Sequence, residues 1–278
     1  MRTQRLGPRI IRWLVITALL AGGLAMVFPI FWLISTSLRP APELLLVPPR
    51  LLPVHWTLDN YVKAFASAPL LLYLWNSFVF AFVSTVFILI TSTVAGYIFA
   101  KFRFPGNNAL FILVLATAIV PFEVYMVPLF LQVNSFKLVN TQLGLLLPFL
   151  VLSYGIFFMR QNTATSVPDE LLDAARIDGM SETGIMLRFV PRLLGPAISA
   201  LAILAFIQAW TAFIWPLLIL SKPTLFPMEL GLSQFANTRV DFGLTSAAAV
   251  VAMAPTLIAF LILRRRIVEG ITLTGLKG

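Results

Sequence analysis

An all-α, polytopic membrane fold with six transmembrane helices and a single domain over 1–278 is what this chain predicts, from three observations. Its 278 residues are 59% hydrophobic and only 11% charged, whereas an ordinary soluble domain carries about 25% charged residues. Stretches without Asp, Glu, Lys or Arg run over 13–38, 64–100, 104–122, 138–159, 193–221 and 242–263. Each can hold the roughly 20 residues that cross a bilayer core, and in lipid such runs must be helical to satisfy their own backbone. The basic residues also alternate between the ends of these runs. One side collects Arg2, Arg5, Arg9, Arg12, Lys101, Arg103, Arg160, Arg176, Arg188, Arg192, Arg264, Arg265, Arg266 and Lys277. The other holds Arg39, Arg50, Lys63, Lys137, Lys222 and Arg239, a ratio of 14 to 6. Basic residues stay on the cytoplasmic side, so both termini are expected there. The net charge of +9 therefore reflects membrane sorting and requires no nucleic acid.

The expected spans are about 13–38, 72–100, 108–131, 142–161, 195–220 and 243–263. Arg2 to Arg12 before an apolar run imitate a signal peptide, but the run continues through Pro29, Phe31 and Trp32 to Leu38. That length predicts a retained first transmembrane helix. The stretch from Arg39 to about Ala68 opens with Pro40, Pro42, Pro48, Pro49 and Pro53, which predicts an extended external connector. A short interfacial helix follows at Asn60–Phe65. His55, the single histidine, reads as solvated. Cysteine is absent, so no disulfide constrains the fold.

The second span is rich in Ser77, Ser84, Thr85, Thr91, Ser92, Thr93, Ala95 and Gly96. Small residues allow close helix approach, so this span is expected inside the bundle or at a dimer seam rather than facing lipid. Lys101-Phe-Arg-Phe-Pro-Gly106 closes it with cations at the negative helix end and a Pro-Gly stop. The third span carries Pro121, Glu123 and Pro128, and the fifth carries Gln208, Trp210, Thr211 and Trp215.

Between the fourth and fifth spans, over about 162–192, a polar and well-punctuated segment interrupts the apolar sequence. Pro168-Asp-Glu-Leu-Leu-Asp173-Ala-Ala175-Arg-Ile-Asp-Gly179 predicts a short helix with Pro168 in its first turn and acidic residues at its positive end. Leu171, Ala174 and Ala175 are expected on one apolar face, with Asp173 beside it and Gly179 ending the helix. Such a helix can seat in a groove and offer one carboxylate to a cation. Alternatively it is a solvated loop helix in which Asp173 pairs with Arg176.

This segment resembles the cytoplasmic docking loop of ABC-importer permeases, usually Glu-Ala-Ala-x-x-x-Gly. The resemblance extends over nearly the whole chain to the carbohydrate-uptake permeases of maltose and glycerol-3-phosphate type. It includes Asn76-Ser77, the 101–106 turn, Val167 to Gly179, Trp210-x-x-Phe213-x-Trp215-Pro-Leu and the terminal Val268-Glu-Gly270 and Leu276-Lys-Gly278. It implies that Glu170, Asp173, Ala174, Ala175 and Gly179 dock a cytoplasmic ATPase, with the tail from Glu269 also reaching it. The implied partners are two ATP-binding subunits holding ATP and Mg, a second related permease and an extracytoplasmic solute-binding protein, in a bacterial or archaeal cytoplasmic membrane. The mechanism implied is alternating access. The sequence departs from the family in Asp173 for Glu, in Pro191 one position early, and in Thr211-Ala212 after Trp210.

No Gly-x-x-x-x-Gly-Lys-Ser/Thr loop is present, so ATP hydrolysis is expected on another chain, and no catalytic, cofactor or metal set is expected on this one. An ionisable group inside a span signals function, which makes Glu123 a candidate for the translocation path. Tyr125, Gln208, Trp210 and Thr211 join it because aromatics stack on sugar rings and amides bond hydroxyls. An ion-coupled secondary transporter is the alternative, but it would need more intramembrane charge than one glutamate. An intramembrane enzyme would need a nucleophile with its base or a metal set, and no such motif occurs.

Overall fold

A computed structural model describes residues 7–238 and 241–275. Arg2, Arg5, Arg239 and Lys277, and the final 276–278 of the proposed tail, lie outside the described residues. The described chain is helical throughout, with no strand. In order, the helices are α1 (Gly7–Ser37), α2 (Ala41–Leu44), α3 (Asp59–Ser67), α4 (Leu70–Lys101), α5 (Asn107–Ile119), α6 (Phe122–Ser135), α7 (Gln142–Leu146) and α8 (Ser153–Ser166). They continue as α9 (Asp169–Ile177), α10 (Glu182–Gly184), α11 (Val190–Leu193), α12 (Gly195–Trp210), α13 (Ile214–Ile219), α14 (Met228–Thr238) and α15 (Phe242–Gly275). A π-helical segment, Ile185–Phe189, joins α10 to α11.

Three helices are long and apolar enough to cross a membrane on their own, and up to six spans result if each of three bent helix pairs forms one. Three of the expected spans are interrupted by breaks in the helix. The stretch expected as one helix over 108–131 is α5 and α6, turned by 100°. Pro121 is the cause: it pushes the preceding Val120 into an extended conformation (φ −75°, ψ 118°) and brings no N–H of its own. Pro128, by contrast, is accommodated within α6. The fourth expected span breaks at 150–152 with a 43° bend. The fifth stops at Trp210 and resumes at Ile214. The last helix runs on to Gly275, past the 263 boundary expected from hydropathy.

The chain forms two compact units, Met1–Leu70 with Leu232–Met253, and Leu71–Gly231 with Ala254–Gly278. In the first, the most hydrophobic window of α1 has none of its residues buried, so lipid or another subunit must cover it. The end of this helix is instead tightly organised. Arg39 is buried, lies 4.9 Å above the Trp32 ring, and donates to Ser35 Oγ at 2.8 Å and Leu51 O at 2.9 Å. Asn60 at the start of α3 donates to Ser37 O and Arg39 O at 2.9 and 2.7 Å. Glu43 accepts from the Val54 and His55 backbone N–H groups, which hold its carboxyl below the usual range. His55 is solvent-facing as expected, yet its Nδ1 lies 2.9 Å from Glu43. The proline-rich connector contains one helical turn, α2, before α3.

The second unit is assembled around α4. Ser77, Ser84 and Ser92 are fully buried along one side of α4, while Trp75, Phe78 and Phe82 form an exposed, mutually stacked stripe on another. The span is therefore two-faced rather than wholly internal. A Cβ at Gly96 would lie 2.7 Å from Met159 Cβ and 2.8 Å from the Arg160 N, which shows how closely α8 crosses α4. Asn76 Nδ2 donates to Thr224 O and Phe226 O at 3.0 and 3.1 Å, and Ser77 Oγ accepts from Met228 N–H. These contacts fasten the segment before α14 to α4. Ile88, Tyr97, Met159, Leu172, Ile185 and Leu201 belong to one buried cluster, so the polar segment between α8 and α12 is packed onto the spans and is not a free loop.

Candidate functional site

The first candidate surface is the α9 segment. Pro168 takes an extended conformation (φ −63°, ψ 144°) and caps the helix from outside, rather than entering its first turn. Asp169 then opens the helix with its Oδ1 2.6 Å from Lys101 Nζ. The Lys101 hydrogen bond holds the Asp169 carboxyl below the usual carboxylate range. At the other end Gly179 has φ +82°. Its N–H bonds Arg176 O at 3.0 Å, and Met180 N–H bonds Ala175 O at 3.0 Å. This pair of bonds is a Schellman closure, and the left-handed residue in it favours glycine.

The faces of α9 differ from the expectation. Leu172 and Ala175 are buried, while Leu171 and Ala174 are exposed. Glu170, Asp173, Ala174 and Ile177 share the exposed face at helical spacing, and Ile177 is 86% exposed. Of the five expected docking residues, Glu170, Asp173 and Ala174 thus face outward, Ala175 anchors the helix and Gly179 shapes its end. Arg176 bridges two elements, bonding Asp173 Oδ1 at 2.7 Å and Glu182 Oε1 at 2.6 Å. Both carboxylates, Glu182 foremost, raise the Arg176 pKa. The Asp173–Arg176 pair is present, on a helix that nonetheless keeps its outer face free of packing. The contacts that sequence spacing did not single out are Lys101 to Asp169 and Arg176 to Glu182.

The second surface is a cavity of about 640 Å³, inside the range of small-molecule pockets. It lies where three chain breaks meet. The α5–α6 break contributes Val120 and Phe122, the break before α8 contributes Val151 and Leu152, and the α12–α13 break contributes Thr211 and Phe213. Broken helices expose backbone polar groups, which membrane proteins tolerate where they line a cavity. Tyr125, Gln208 and Thr211 all line it. Thr211 donates its hydroxyl to Ile207 O at 2.8 Å, leaving its oxygen able to accept.

Two of the expected residues do not line this cavity. Trp210 is buried and stacks on Phe206 with ring centroids 5.6 Å apart. Glu123 is exposed, sits in the first turn of α6 and does not line the cavity; there its charge complements the positive helix end. The sequence reading missed the hydroxyl pair Thr117 and Ser153, 2.6 Å apart, and the aromatic trio of Phe122 with Tyr125 and Trp215 at 5.3 and 6.1 Å. Trp215 is fixed by a 3.1 Å bond from Nε1 to Gly144 O. A lone aliphatic hydroxyl in each of two apolar spans was the available signal.

Residues 92–272 match the family model described as binding-protein-dependent transport system inner membrane component. The chain is 36% identical over 274 residues to the arabinooligosaccharides transport system permease protein AraQ of Halalkalibacterium halodurans, covering 97% of this chain and 98% of that one. It is 34% identical to the sulfoquinovosyl glycerol transport system permease protein SmoH of Agrobacterium fabrum, with 96% and 94% covered. Its fold is similar to a chain of a bacterial ABC transporter involved in import of the acidic polysaccharide alginate, with TM-score 0.87 and 20% identity over 95% of this chain and 99% of that one. Both the family match and the relatives cover most of the chain, and the protein belongs to the family of binding-protein-dependent transport system inner membrane components.

Proposed function

We propose that this chain is the permease subunit of an ATP-driven importer and forms half of the translocation pathway for a sugar or sugar-like solute. The bent stretches 107–135 and 142–166 each act as one span and α12 with α13 as another, giving six in all with both termini cytoplasmic, in line with the basic-residue asymmetry. Two cytoplasmic ATPase subunits, carrying ATP and Mg, receive the α9 face of Glu170, Asp173 and Ala174. A second permease completes the pathway, and an extracytoplasmic binding protein delivers solute. The observation that carries this reading is a helix with an outward carboxylate and apolar face whose inner side, Leu172 and Ala175, is buried against the spans. Force applied to it is transmitted rather than absorbed. ATP-driven closure of the paired ATPases would move α9, and with it the ends of α4 and α8.

The solute class follows from the cavity. Tyr125, Phe122 and Trp215 supply apolar ring faces, while Gln208, Thr211, Thr117 and Ser153 supply neutral hydrogen-bonding groups. No ionised side chain lines this cavity among the described residues, which suits a neutral polyhydroxylated solute. The arabinooligosaccharides named for one relative agree with that chemistry, whereas the sulfoquinovosyl glycerol named for another is also a sugar but carries a sulfonate.

Purification of the tagged chain from its native membrane in mild detergent, with mass spectrometry of co-purifying proteins, tests the reading. An ATPase subunit and a second permease should accompany the chain, and the ATPase should be lost with Asp173→Lys combined with Ile177→Asp. A chain that purifies alone and drives uptake without ATP would sink the proposal and favour an ion-coupled transporter.

A further inference from the structure

A second cavity, of about 380 Å³, lies apart from both surfaces described above. It is formed by the end of α4, the 102–106 turn, the start of α5 and Arg160 of α8. Its lining combines Arg103, Arg160, Asn107 and Asn108 with the rings of Phe99, Phe102 and Phe104. Arg160 lies with its guanidinium carbon 3.9 Å above the Phe111 ring and donates through Nε to Phe99 O at 3.3 Å. Among the described residues, no carboxylate is within ion-pair distance of Arg160 or Arg103. The acid nearest in effect to Arg103 is Asp169, which Lys101 already occupies. Two cations therefore line one open cavity, and neither has a carboxylate within ion-pair distance among the described residues. No side chain caps the adjoining α5 N-terminus, whose positive end adds to the same field.

The geometry points to a binding site for a phosphodiester, supplied by the head group of an anionic phospholipid. Guanidinium groups match phosphate oxygens in a forked geometry. The cavity sits at the junction of a span end with a span start, the depth at which head groups lie. Its phenylalanine walls suit the glycerol and upper acyl region, which a water-soluble anion would leave without a partner. Basic pockets between helix ends are the usual form of such sites. The inference rests on the proposed reading that α4 and α5 cross the bilayer. Its consequence is that the 101–106 turn, next to the Lys101–Asp169 contact, is held by the membrane surface as well as by protein.

The test uses the intact detergent-purified complex, reconstituted into nanodiscs of phosphatidylcholine with a minor fraction of phosphatidylglycerol, then released and analysed for retained lipid by mass spectrometry. Wild type should retain phosphatidylglycerol in preference to phosphatidylcholine. Arg103→Gln should lower that preference about fivefold, the worth of one basic residue at an anionic surface. Arg160→Gln should do at least as much, but it also removes the Phe99 contact, so the exposed Arg103 is the decisive position. Arg188→Gln, which removes an equal charge outside the cavity, should leave retention unchanged. Equal retention of the two lipids, or equal effects of Arg103→Gln and Arg188→Gln, would overturn the site. Binding of inorganic phosphate with no lipid preference would overturn the lipid source and assign the cavity to a free anion. Co-purification of the ATPase, scored in the same samples, reports separately on the importer reading.

Discussion

The ammonium of Lys101, the last residue of α4, lies 2.6 Å from the carboxylate of Asp169, the first residue of α9. The Lys101 side chain is only 11% exposed and that of Asp169 is 78% exposed, so the lysine is held in place and α9 reaches to it. The contact joins a span directly to the element proposed to receive the ATPase. Neutralising it with Lys101→Met should leave the complex assembled and slow ATP-driven uptake by about twofold to thirtyfold, the usual range for a residue within a coupling network. The swapped pair Lys101→Asp with Asp169→Lys should recover part of that loss, measured as initial uptake rates in proteoliposomes.

The same pair sets an expectation for pH. The folded-state pKa of Asp169 is lowered by its hydrogen bond to Lys101, so its contribution is complete above the ordinary carboxylate range and disappears as pH falls through the lowered folded value. Uptake should therefore show no dependence on this pair above roughly pH 5. An acid limb above pH 5 that is present in wild type and absent from Asp169→Asn would contradict it.

Ala174 and Ala175 are adjacent, but the first is exposed and the second buried. Ala175→Glu should lower the thermal midpoint of the detergent-solubilised protein, because it buries a charge beside Leu172 at a cost of several kcal/mol. Ala174→Glu should leave the midpoint within about 1 °C, since exposed substitutions are near neutral, yet reduce recovery of the ATPase subunit. Differential scanning fluorimetry and quantitative co-purification separate the two effects.

At Gly179 the φ of +82° makes any side chain unfavourable in the Schellman closure. Gly179→Ala should destabilise the 169–193 segment by about 1 kcal/mol, and Gly179→Asn by less, because asparagine tolerates the left-handed region. Hydrogen exchange of the Met180 amide, which bonds Ala175 O, should accelerate in the order Gly, Asn, Ala.

Within the larger cavity Gln208→Leu should raise the solute concentration needed for half-maximal uptake by about tenfold, the cost of one unmet hydrogen bond to a neutral hydroxyl. Glu123→Gln should change uptake by less than about twofold, since Glu123 is an exposed residue outside the cavity wall. A larger loss with Glu123→Gln than with Gln208→Leu would reverse the assignment of the pathway.

What the sequence determined by itself was whatever depends on composition and on neighbours within a helical turn. The scarcity of charge between 13 and 38 or 242 and 263 dictates apolar helices wherever those residues end up. Pro168, Asp169 and Gly179 mark the limits of α9 because capping is a local interaction. The Pro121 break was available in the same way, but hydropathy averages across a proline and reported one continuous span. Tertiary structure decided the rest. Leu172 rather than Leu171 turns inward because its neighbours include Tyr97, Met159 and Ile185, residues remote in sequence. Lys101 meets Asp169 across 68 residues, and the cavity exists only because three separated breaks converge. Periodicity fixes which residues share a helix face, whereas the direction that face points is set by packing against partners that local sequence does not name.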